Sequence, residues 1–333
     1  MPVVAGAHLV SNVFDRAAVK QAGTRDGYGA GVVELGKQDE RIVVLCADLS
    51  ESTRSHLFQK AFPKRYVQIG VAEQNLITVG AGLASVGKVP FMASYAAFSP
   101  GRCWEQIRTT FGYNHLHGVV VGAHAGVSVG PDGATHQAVE DIATMRTIAG
   151  CTVLVPSDAV RAQQATLATV TEPHLWYLRM GRDKYPVFTT DQTPFQVGRA
   201  ELFHAGDDVT IIACGPMVYE ALLAAHELEQ AGIGVDVLDA TTVKPLDVAT
   251  IVESVRKTNA VVTAEEASVL GGLGGAVAEA LGQHYPAPIE YIGMQDRYGA
   301  SGSTPELFKA FHMTTGDIVA AVHRVLKRKR HAA

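Results

Sequence analysis

The sequence predicts an α/β protein of two three-layer domains, each built on a mostly parallel sheet, with the second domain the smaller. A chain of 333 residues is too long for one ordinary hydrophobic core and suits two domains. Hydrophobic residues make up 47% of the chain and charged residues 18%, so both domains can bury a core. Short β-branched runs alternate with segments of helical periodicity, which is typical of βαβ units. We place the domains at residues 1–190 and 191–333.

Apolar runs in the first domain predict strands, and the amphipathic segments between them predict helices. The strands are expected at residues 41–47, 88–94, 118–123, 151–156 and 174–179. The helices are expected at residues 73–87, 101–113 and 158–170. Residues 181–197 lose both patterns and are rich in Pro, Thr and Asp, which predicts a linker between the domains.

The second domain repeats the alternation in a shorter form. Its strands are expected at residues 208–215, 234–240 and 260–266. Its helices are expected at residues 217–231, 247–257 and 271–285, with a final helix from about Thr315. The glycine-rich stretch 271–275 has neither the G-x-G-x-x-G nor the Walker spacing, so we interpret it as a tight loop with close helix packing.

Composition excludes several classes of partner. The net charge is −5, and the only dense basic run is the tail at residues 327–330, so we expect no nucleic-acid partner. No signal-peptide pattern and no membrane-length apolar run occurs, so we expect a cytoplasmic protein with no membrane partner. Four widely spaced cysteines without CxxC spacing are expected to be small buried hydrophobes in a reducing compartment: Cys46, Cys103, Cys151 and Cys214.

A glycine-flexed loop with three titratable side chains follows the apolar run at 118–123. It reads HAGVSVGPDGATH and carries His124, Asp132 and His136. Ligands of open α/β sheets bind outside the carboxyl ends of the strands, where this loop is expected. Two histidines and a carboxylate on one turn favour a functional site over a connecting loop.

Glu73 opens the helix predicted at 73–87, directly after a β-rich stretch. One interpretation is a first-turn carboxylate that balances the helix dipole. The other is an acid held rigidly at a strand-to-helix edge, where catalytic groups gather. Composition alone favours neither.

Four segments together resemble the transketolase family: ADLSEST at 47–53, GVAEQN at 70–75, SYAAF at 94–98 and GPDGATHQ at 130–137. They occur in the family's order and approximate spacing, and the resemblance covers essentially the whole chain. It implies a thiamine pyrimidine-binding domain followed by a transketolase C-terminal domain. It also implies transfer of a two-carbon ketol unit from a ketose phosphate to an aldose phosphate, with thiamine diphosphate and Mg²⁺ as cofactors.

The resemblance implies cofactor contacts for four residues. Glu73 would hydrogen-bond a ring nitrogen of the thiamine aminopyrimidine and so assist removal of the thiazolium proton. Tyr95 and Phe98 match aromatic positions that pack on the aminopyrimidine, although ordinary core filling would also account for them. Asp48, in the ADLSEST segment, is assigned to cofactor binding as well.

The resemblance also implies substrate contacts for the loop. His124 and His136 would contact the carbonyl and hydroxyl oxygens of the donor and assist proton transfers, since neutral histidine both donates and accepts near pH 7. Asp132 would recognise a sugar hydroxyl near the reacting carbon.

Three positions would bind a sugar phosphate: Arg25, Ser52 and Arg182. A planar guanidinium binds two phosphate oxygens at once, which suits this role. Arg179 is an alternative to Arg182 for the phosphate-binding position, because the segment LRMGRD at 178–183 has two extra residues relative to the common transketolase pattern. Arg102, in the segment FSPGRCWEQ, departs from the ordinary transketolase sequence and resembles an arginine of deoxyxylulose-phosphate synthase. This difference leaves the choice of acceptor substrate open.

No Gly-Asp-Gly motif occurs in the chain. Thiamine enzymes of this group bind Mg²⁺ and the diphosphate through that motif, because a hard cation between two phosphates needs oxygen ligands. We therefore expect no metal ligands here and interpret the chain as the C-terminal subunit of a split transketolase. Its expected partner is an N-terminal subunit that carries the diphosphate-binding domain, with two copies of each chain.

Three alternatives remain. The beta subunit of a 2-oxo acid dehydrogenase decarboxylase component also lacks Gly-Asp-Gly, but it usually has a Gly-rich His-Ser-Gln segment where this chain has DGATHQ. A deoxyxylulose-phosphate synthase-like enzyme would consume pyruvate, but is ordinarily one continuous chain. A non-catalytic assembly subunit would be expected to lack Glu73, Asp132 and His136, all of which are present.

Overall fold

A computed structural model describes residues 3–332, with side chains through residue 329. The strands are β1 (Gln21–Ala22), β2 (Ile42–Cys46), β3 (Tyr66–Gln68), β4 (Val89–Tyr95), β5 (Gly118–Ala123), β6 (Cys151–Leu154), β7 (Leu175–Arg179), β8 (Tyr185–Pro186), β9 (Glu201–His204), β10 (Val209–Ala213), β11 (Val235–Asp239), β12 (Thr242–Lys244), β13 (Val261–Ser268) and β14 (Ile289–Met294). The helices are α1 (Thr24–Gln38), α2 (Ser55–Ala61), α3 (Glu73–Ser85), α4 (Trp104–Gln106, continued as a π-helix over Ile107–Gly112), α5 (Asp141–Arg146), α6 (Ala159–Ala168), α7 (Met217–Gln230), α8 (Val248–Thr258), α9 (Leu273–His284), α10 (Thr304–Ala310) and α11 (Thr315–Ala332).

The first sheet of the described chain has the strand order β12-β6-β7-β5-β4-β2-β3. Its members pair in parallel, except that β12 runs antiparallel to β6 at one edge. The residues of β2 and β5 are buried along their whole length. Such continuous apolar strands are typical of a parallel sheet covered on both faces.

The second sheet has the order β14-β13-β10-β11-β9 within residues 3–332. Its strands are parallel apart from β9, which pairs antiparallel with β11. The predicted fold class, two α/β domains with mostly parallel sheets, is therefore confirmed. Among the described helices, none is both long enough and apolar enough to cross a membrane.

The two domains share contacts beyond a simple linker. Strand β12 follows the second sheet's β11 in the chain but completes the edge of the first sheet. One hydrophobic core contains Val153 from the first sheet together with Ile212 and Leu238 from the second. The segment predicted as a linker, 181–197, includes β8, which pairs with β1. The cysteines, predicted to be buried, are all buried and free.

Helix α1 was not predicted because its sequence, TRDGYGAGVVELGKQ, contains four glycines. Glycine disfavours an isolated helix by about 1 kcal/mol per residue relative to alanine. Packing against α6 explains why glycine occurs here despite this destabilisation. A Cβ on Gly27 would lie 2.0 Å from the carbonyl oxygen of Ala159. The glycines allow the two helix backbones to approach closely, and α1 carries Arg25 at its start.

We predict that Gly27→Ala destabilises the protein by about 1 to 3 kcal/mol, because the added methyl group forces α1 away from α6. The matched control is Gly82→Ala in α3, where an added Cβ meets no atom within 4 Å. This control is expected to raise the free energy of unfolding by up to about 1 kcal/mol. Chemical denaturation followed by circular dichroism measures both changes. Equal effects of the two substitutions would contradict the close approach of α1 and α6.

Candidate functional site

Most predicted site residues lie at or after the carboxyl ends of strands of the first sheet, whereas Arg25 follows β1, which pairs with β8 outside that sheet. Strand β2 ends at Cys46, β4 at Tyr95 and β5 at Ala123, and their neighbour β7 ends at Arg179. These strands are parallel, so their carboxyl ends lie side by side. The segments that follow these strands therefore leave the sheet from the same edge.

Glu73 is the first residue of α3, and it is 2% exposed. Nη1 of Arg102 lies 2.7 Å from its Oε2, while the arginine side chain is 54% exposed. The ion pair uses one of the two carboxylate oxygens. A cavity of about 510 Å³ adjoins the pair and is also lined by Val71 and Asn75. A buried carboxylate that lines a cavity can accept a hydrogen bond from a ligand there, and the role of Glu73 in cofactor binding stays a prediction.

Four rings from three segments form an aromatic cluster beside this pair: Tyr95, Phe98, His124 and His136. The rings of Tyr95 and Phe98 stack with centroids 6.0 Å apart, and His124 stacks on Tyr95 at 3.9 Å. His136 meets Phe98 edge-on at 5.3 Å. The guanidinium carbon of Arg102 lies 5.3 Å from the Phe98 ring centroid, which joins the cluster to the Glu73 pair.

His124 is a neutral side chain in this environment. Burial, followed by the charges of Arg25 and Arg182, lowers its pKa to about 3. Its backbone has φ = 55°, and its Nδ1 is buried with no hydrogen-bond partner among the described residues. An unpaired buried nitrogen is costly unless a ligand supplies a partner.

The remainder of the loop is more open. His136 is half-buried, and its Nδ1 lies 2.9 Å from Oγ1 of Thr135. Asp132 is exposed at the end of the 3₁₀-helix Val127–Asp132, and the structure records no hydrogen bond or ion pair of its carboxylate with the described residues. The structure therefore joins His136 to the aromatic cluster but leaves Asp132 at the outer part of the loop.

A basic cluster lies next to His124. Burial and then the charges of Arg54 and Arg182 lower the pKa of Arg25, and the charge of Asp26 partly offsets this effect. Nη1 of Arg25 donates to the backbone carbonyl oxygen of Ser52 at 3.0 Å, while Nε is buried without a partner among the described residues. Several cations in one partly buried place favour an anionic ligand.

The structure distinguishes the two competing arginines. Arg179 is 3% exposed; its Nε lies 2.7 Å from Oδ2 of Asp141 and its Nη2 donates to the carbonyl oxygen of Glu266 at 2.9 Å. Its donors thus serve the fold. Arg182 is half-buried and donates from Nη1 to the carbonyl oxygen of Val129 at 3.2 Å. Arg182, rather than Arg179, remains available to a substrate.

Asp48 is exposed after β2, with φ = 58°. Its backbone N–H donates to Oε1 of Gln68 at 2.9 Å, and Nε2 of Gln68 donates to its Oδ1 at 3.3 Å. These bonds connect the ends of β2 and β3. The assignment of Asp48 to the cofactor stays a prediction.

Sequence reasoning missed Arg54 and left Arg102 without a role. Arg54 precedes α2 with φ = 67°, and its Nε lies 2.6 Å from Oδ1 of Asp26. Its position in ADLSESTR, next to the predicted phosphate segment, was an available signal. No signal of this kind linked Arg102 to Glu73, because the two lie 29 residues apart. Within residues 3–329, no group of three or more His, Cys, Asp or Glu side chains is arranged to hold a metal ion.

Comparison with known proteins identifies both domains. Residues 20–187 match the family described as "Transketolase, pyrimidine binding domain". Residues 198–318 match "Transketolase, C-terminal domain".

Similar proteins include separate subunits. The chain is 41% identical over 305 residues to "6-deoxy-6-sulfo-D-fructose transketolase subunit SqwH" of Clostridium sp. (strain MSTE9), covering 92% of this chain and 95% of that protein. It is 34% identical to one of the subunits of an apulose-4-phosphate transketolase from Phocaeicola vulgatus, covering 91% of this chain and 97% of that protein. A solved structure described as "Split gene transketolase, inactive beta4 tetramer" has 44% identity and a TM-score of 0.85, covering 92% of this chain and 99% of that chain.

The fold and the two family matches thus define a two-domain α/β protein of a family whose members depend on thiamine diphosphate. The chain belongs to the transketolase family. It has the pyrimidine-binding and C-terminal domains of a transketolase, and similar proteins are named as transketolase subunits.

We predict that the imidazole of His124 stays neutral from pH 7 down to about pH 5, whereas an ordinary histidine titrates near pH 6.5. The folded pKa is depressed, so the unfolded chain binds the proton first, and the free energy of unfolding falls as the pH drops from about 6.5 toward 3. Nitrogen-15 NMR of the folded chain and of the chain in denaturant measures both titrations. A midpoint for folded His124 near that of the unfolded chain would contradict this electrostatic environment.

Proposed function

We propose that this chain is the C-terminal subunit of an α2β2 transketolase that transfers a two-carbon ketol unit from a ketose phosphate to an aldose phosphate. The observation that carries the proposal is the position of buried Glu73 at a cavity, beside a stacked aromatic cluster and a basic cluster. Each of these three features suits one part of the reaction.

The residues present fit the aminopyrimidine of thiamine diphosphate. Glu73 offers a buried carboxylate to a ring nitrogen, and Tyr95 and Phe98 offer ring faces to a flat heterocycle. When bound, this cofactor supplies the carbanion stabilisation that ketol transfer requires. The protein's part is to orient the ring and to hold a proton at the Glu73 carboxylate. Arg102 then shares or yields the Oε2 contact.

The neighbouring groups suit an anionic sugar. Neutral His124 and half-buried His136 can donate hydrogen bonds to carbonyl and hydroxyl oxygens or accept them. Arg25 and Arg182 place positive charge where the terminal anion of a sugar would lie. Asp132 would bind a sugar hydroxyl at the outer part of the loop.

A sulfonated ketose is the second candidate donor. One relative is named for 6-deoxy-6-sulfo-D-fructose and another for apulose 4-phosphate, so subunits similar to this chain are named for different anionic sugars. A sulfonate and a phosphate both carry oxygens that a guanidinium binds. The basic cluster supports either donor.

A second chain is needed to bind the diphosphate and Mg²⁺, because this chain has no Gly-Asp-Gly motif. An N-terminal partner would carry the diphosphate-binding domain and the Mg²⁺ ligands, in agreement with the missing Gly-Asp-Gly motif and with relatives that are named as subunits. Two copies of each chain would complete the active sites. A cytoplasmic location is part of the proposal and is supported by four free, buried cysteines.

The test is donor competition in the complex reconstituted with the N-terminal partner, with ribose 5-phosphate as acceptor. We expect turnover of xylulose 5-phosphate or 6-deoxy-6-sulfofructose and poor turnover of pyruvate, because a site with polar groups for hydroxyls discriminates against a donor that lacks them. Arg25→Ala should lower kcat/KM for the anionic ketose by roughly 10- to 150-fold, as loss of one charged hydrogen bond implies. Its effect on uncharged erythrulose should be much smaller.

Arg41→Ala is the matched control, because the Arg41 side chain is exposed and paired with Asp39 at the opposite end of β2. It should leave both donors unchanged. Preference for pyruvate would replace the proposal with a decarboxylase or deoxyxylulose-phosphate synthase. Equal losses on charged and uncharged ketoses in Arg25→Ala would assign Arg25 to the fold alone.

A further inference from the structure

The loop that carries Asp132 and His136 is attached to the second domain through Glu266. This residue lies in β13 and is 1% exposed. The backbone N–H of Ser128 donates to its Oε1. The hydroxyl of Tyr185 lies 3.2 Å from its Oε2 and also donates to Oγ of Ser128.

The loop backbone is shaped to receive this carboxylate. Gly126 has φ = 81°, in the region that favours glycine, and a Cβ there would lie 2.6 Å from Cδ of Glu266. Any larger residue at position 126 would displace the carboxylate. Further along the loop, the N–H of Ser268 donates to the carbonyl oxygen of Val139 at 2.7 Å. Both ends of the loop 126–139 thus contact β13.

The same carboxylate reaches the phosphate side of the site through Tyr185. This tyrosine belongs to β8 and pairs with Ala22 of β1, three residues before Arg25. Arg182 lies three residues before Tyr185 and donates to Val129, inside the loop. The buried side chain of Glu266, in the second domain, therefore contacts both the loop that carries His136 and the β8 segment that follows Arg182.

The Glu266 carboxylate is buried, and its charge interacts with neighbouring groups of the protein. Burial raises the pKa of Glu266, and the charge of Arg179 and the bonds from Ser128 and Tyr185 partly offset it. Oε1 meets Ser128 of the loop and Oε2 meets Tyr185 of β8, so Glu266 acts through other residues and does not line the cavity beside Glu73.

We propose that Glu266 is a positioning residue, which fixes loop 126–139 and the β8 segment relative to each other so that the sugar-binding side chains converge. The attachment of the loop stands by itself, while its consequence for sugar binding rests on the proposed function. The second domain thereby contributes to the substrate site without touching the substrate.

The test compares Glu266→Ala, Glu266→Gln and Glu265→Ala in the reconstituted complex. Glu265 is the matched control, because it is also 1% exposed but accepts from the N–H groups of Leu273 and Gly274 at the start of α9. Hydrogen–deuterium exchange and donor kinetics are measured for each variant. Exchange reports on the attachment independently of any activity.

In Glu266→Ala, amides 126–139 should exchange about tenfold faster and the KM for the donor sugar should rise about tenfold, because the acceptor of the Ser128 N–H is lost. Glu266→Gln should restore KM to near the wild-type value. Its amide oxygen can accept from Ser128 and its amide nitrogen can donate to the Tyr185 oxygen, which still donates to Ser128. Glu265→Ala should speed exchange at the start of α9 and leave KM unchanged.

Unchanged loop exchange in Glu266→Ala, or the same rise of KM in Glu265→Ala, would overturn the proposal. Faster loop exchange with an unchanged KM would overturn the positioning role. If Glu266→Ala does not fold, Tyr185→Phe, which removes one hydroxyl, must show smaller changes in the same direction. A wild-type complex that transfers no ketol unit would refute the proposed function, and the exchange data would then decide the loop attachment alone.

Discussion

Parallel pairing of β2, β4, β5 and β7 is the constraint on which the candidate site depends. The residues of these strands are buried, apart from the half-buried Tyr95 at the end of β4, which is itself part of the aromatic cluster. The backbone hydrogen bonds of each strand fix the point at which the next segment leaves the sheet. The segments that carry the rings, the loop histidines and Arg182 therefore start from neighbouring positions, and packing needs to orient them only over a few residues. Arg25 joins them from α1, which follows β1 of the separate two-stranded sheet.

The site combines neutral rings with several cations and few free anions. The guanidinium groups near Arg25 oppose protonation of His124, so the histidine remains neutral while the arginines stay charged. Buried Glu73 is compensated by Arg102. This separation gives an uncharged aromatic region for a heterocycle next to a positive region for an anion, two requirements that a uniformly charged cleft could not meet.

Much of the fold followed from local patterns, because long apolar runs such as β5 carry their own signal. Elements whose stability depends on residues far away in the sequence could not be predicted from local patterns. Helix α1 is rich in glycine and depends on packing against α6, and β12 joins a sheet built by the other domain. In the site, motif order brought Glu73, Tyr95, His124 and His136 to attention. Spacing could not separate Arg179 from Arg182, because only burial and the bond to Asp141 distinguish them.

The central claim is that this chain supplies the pyrimidine half of an active site, through Glu73, and that a partner chain completes it. NMR measurement of proton exchange at the thiazolium carbon of thiamine diphosphate with Mg²⁺ tests it most directly. The isolated chain should exchange the proton no faster than free cofactor, the reconstituted complex should accelerate exchange, and Glu73→Gln in that complex should reduce the acceleration by roughly 10²- to 10⁴-fold. Acceleration by the isolated chain, or a wild-type rate in the Glu73→Gln complex, would contradict the account.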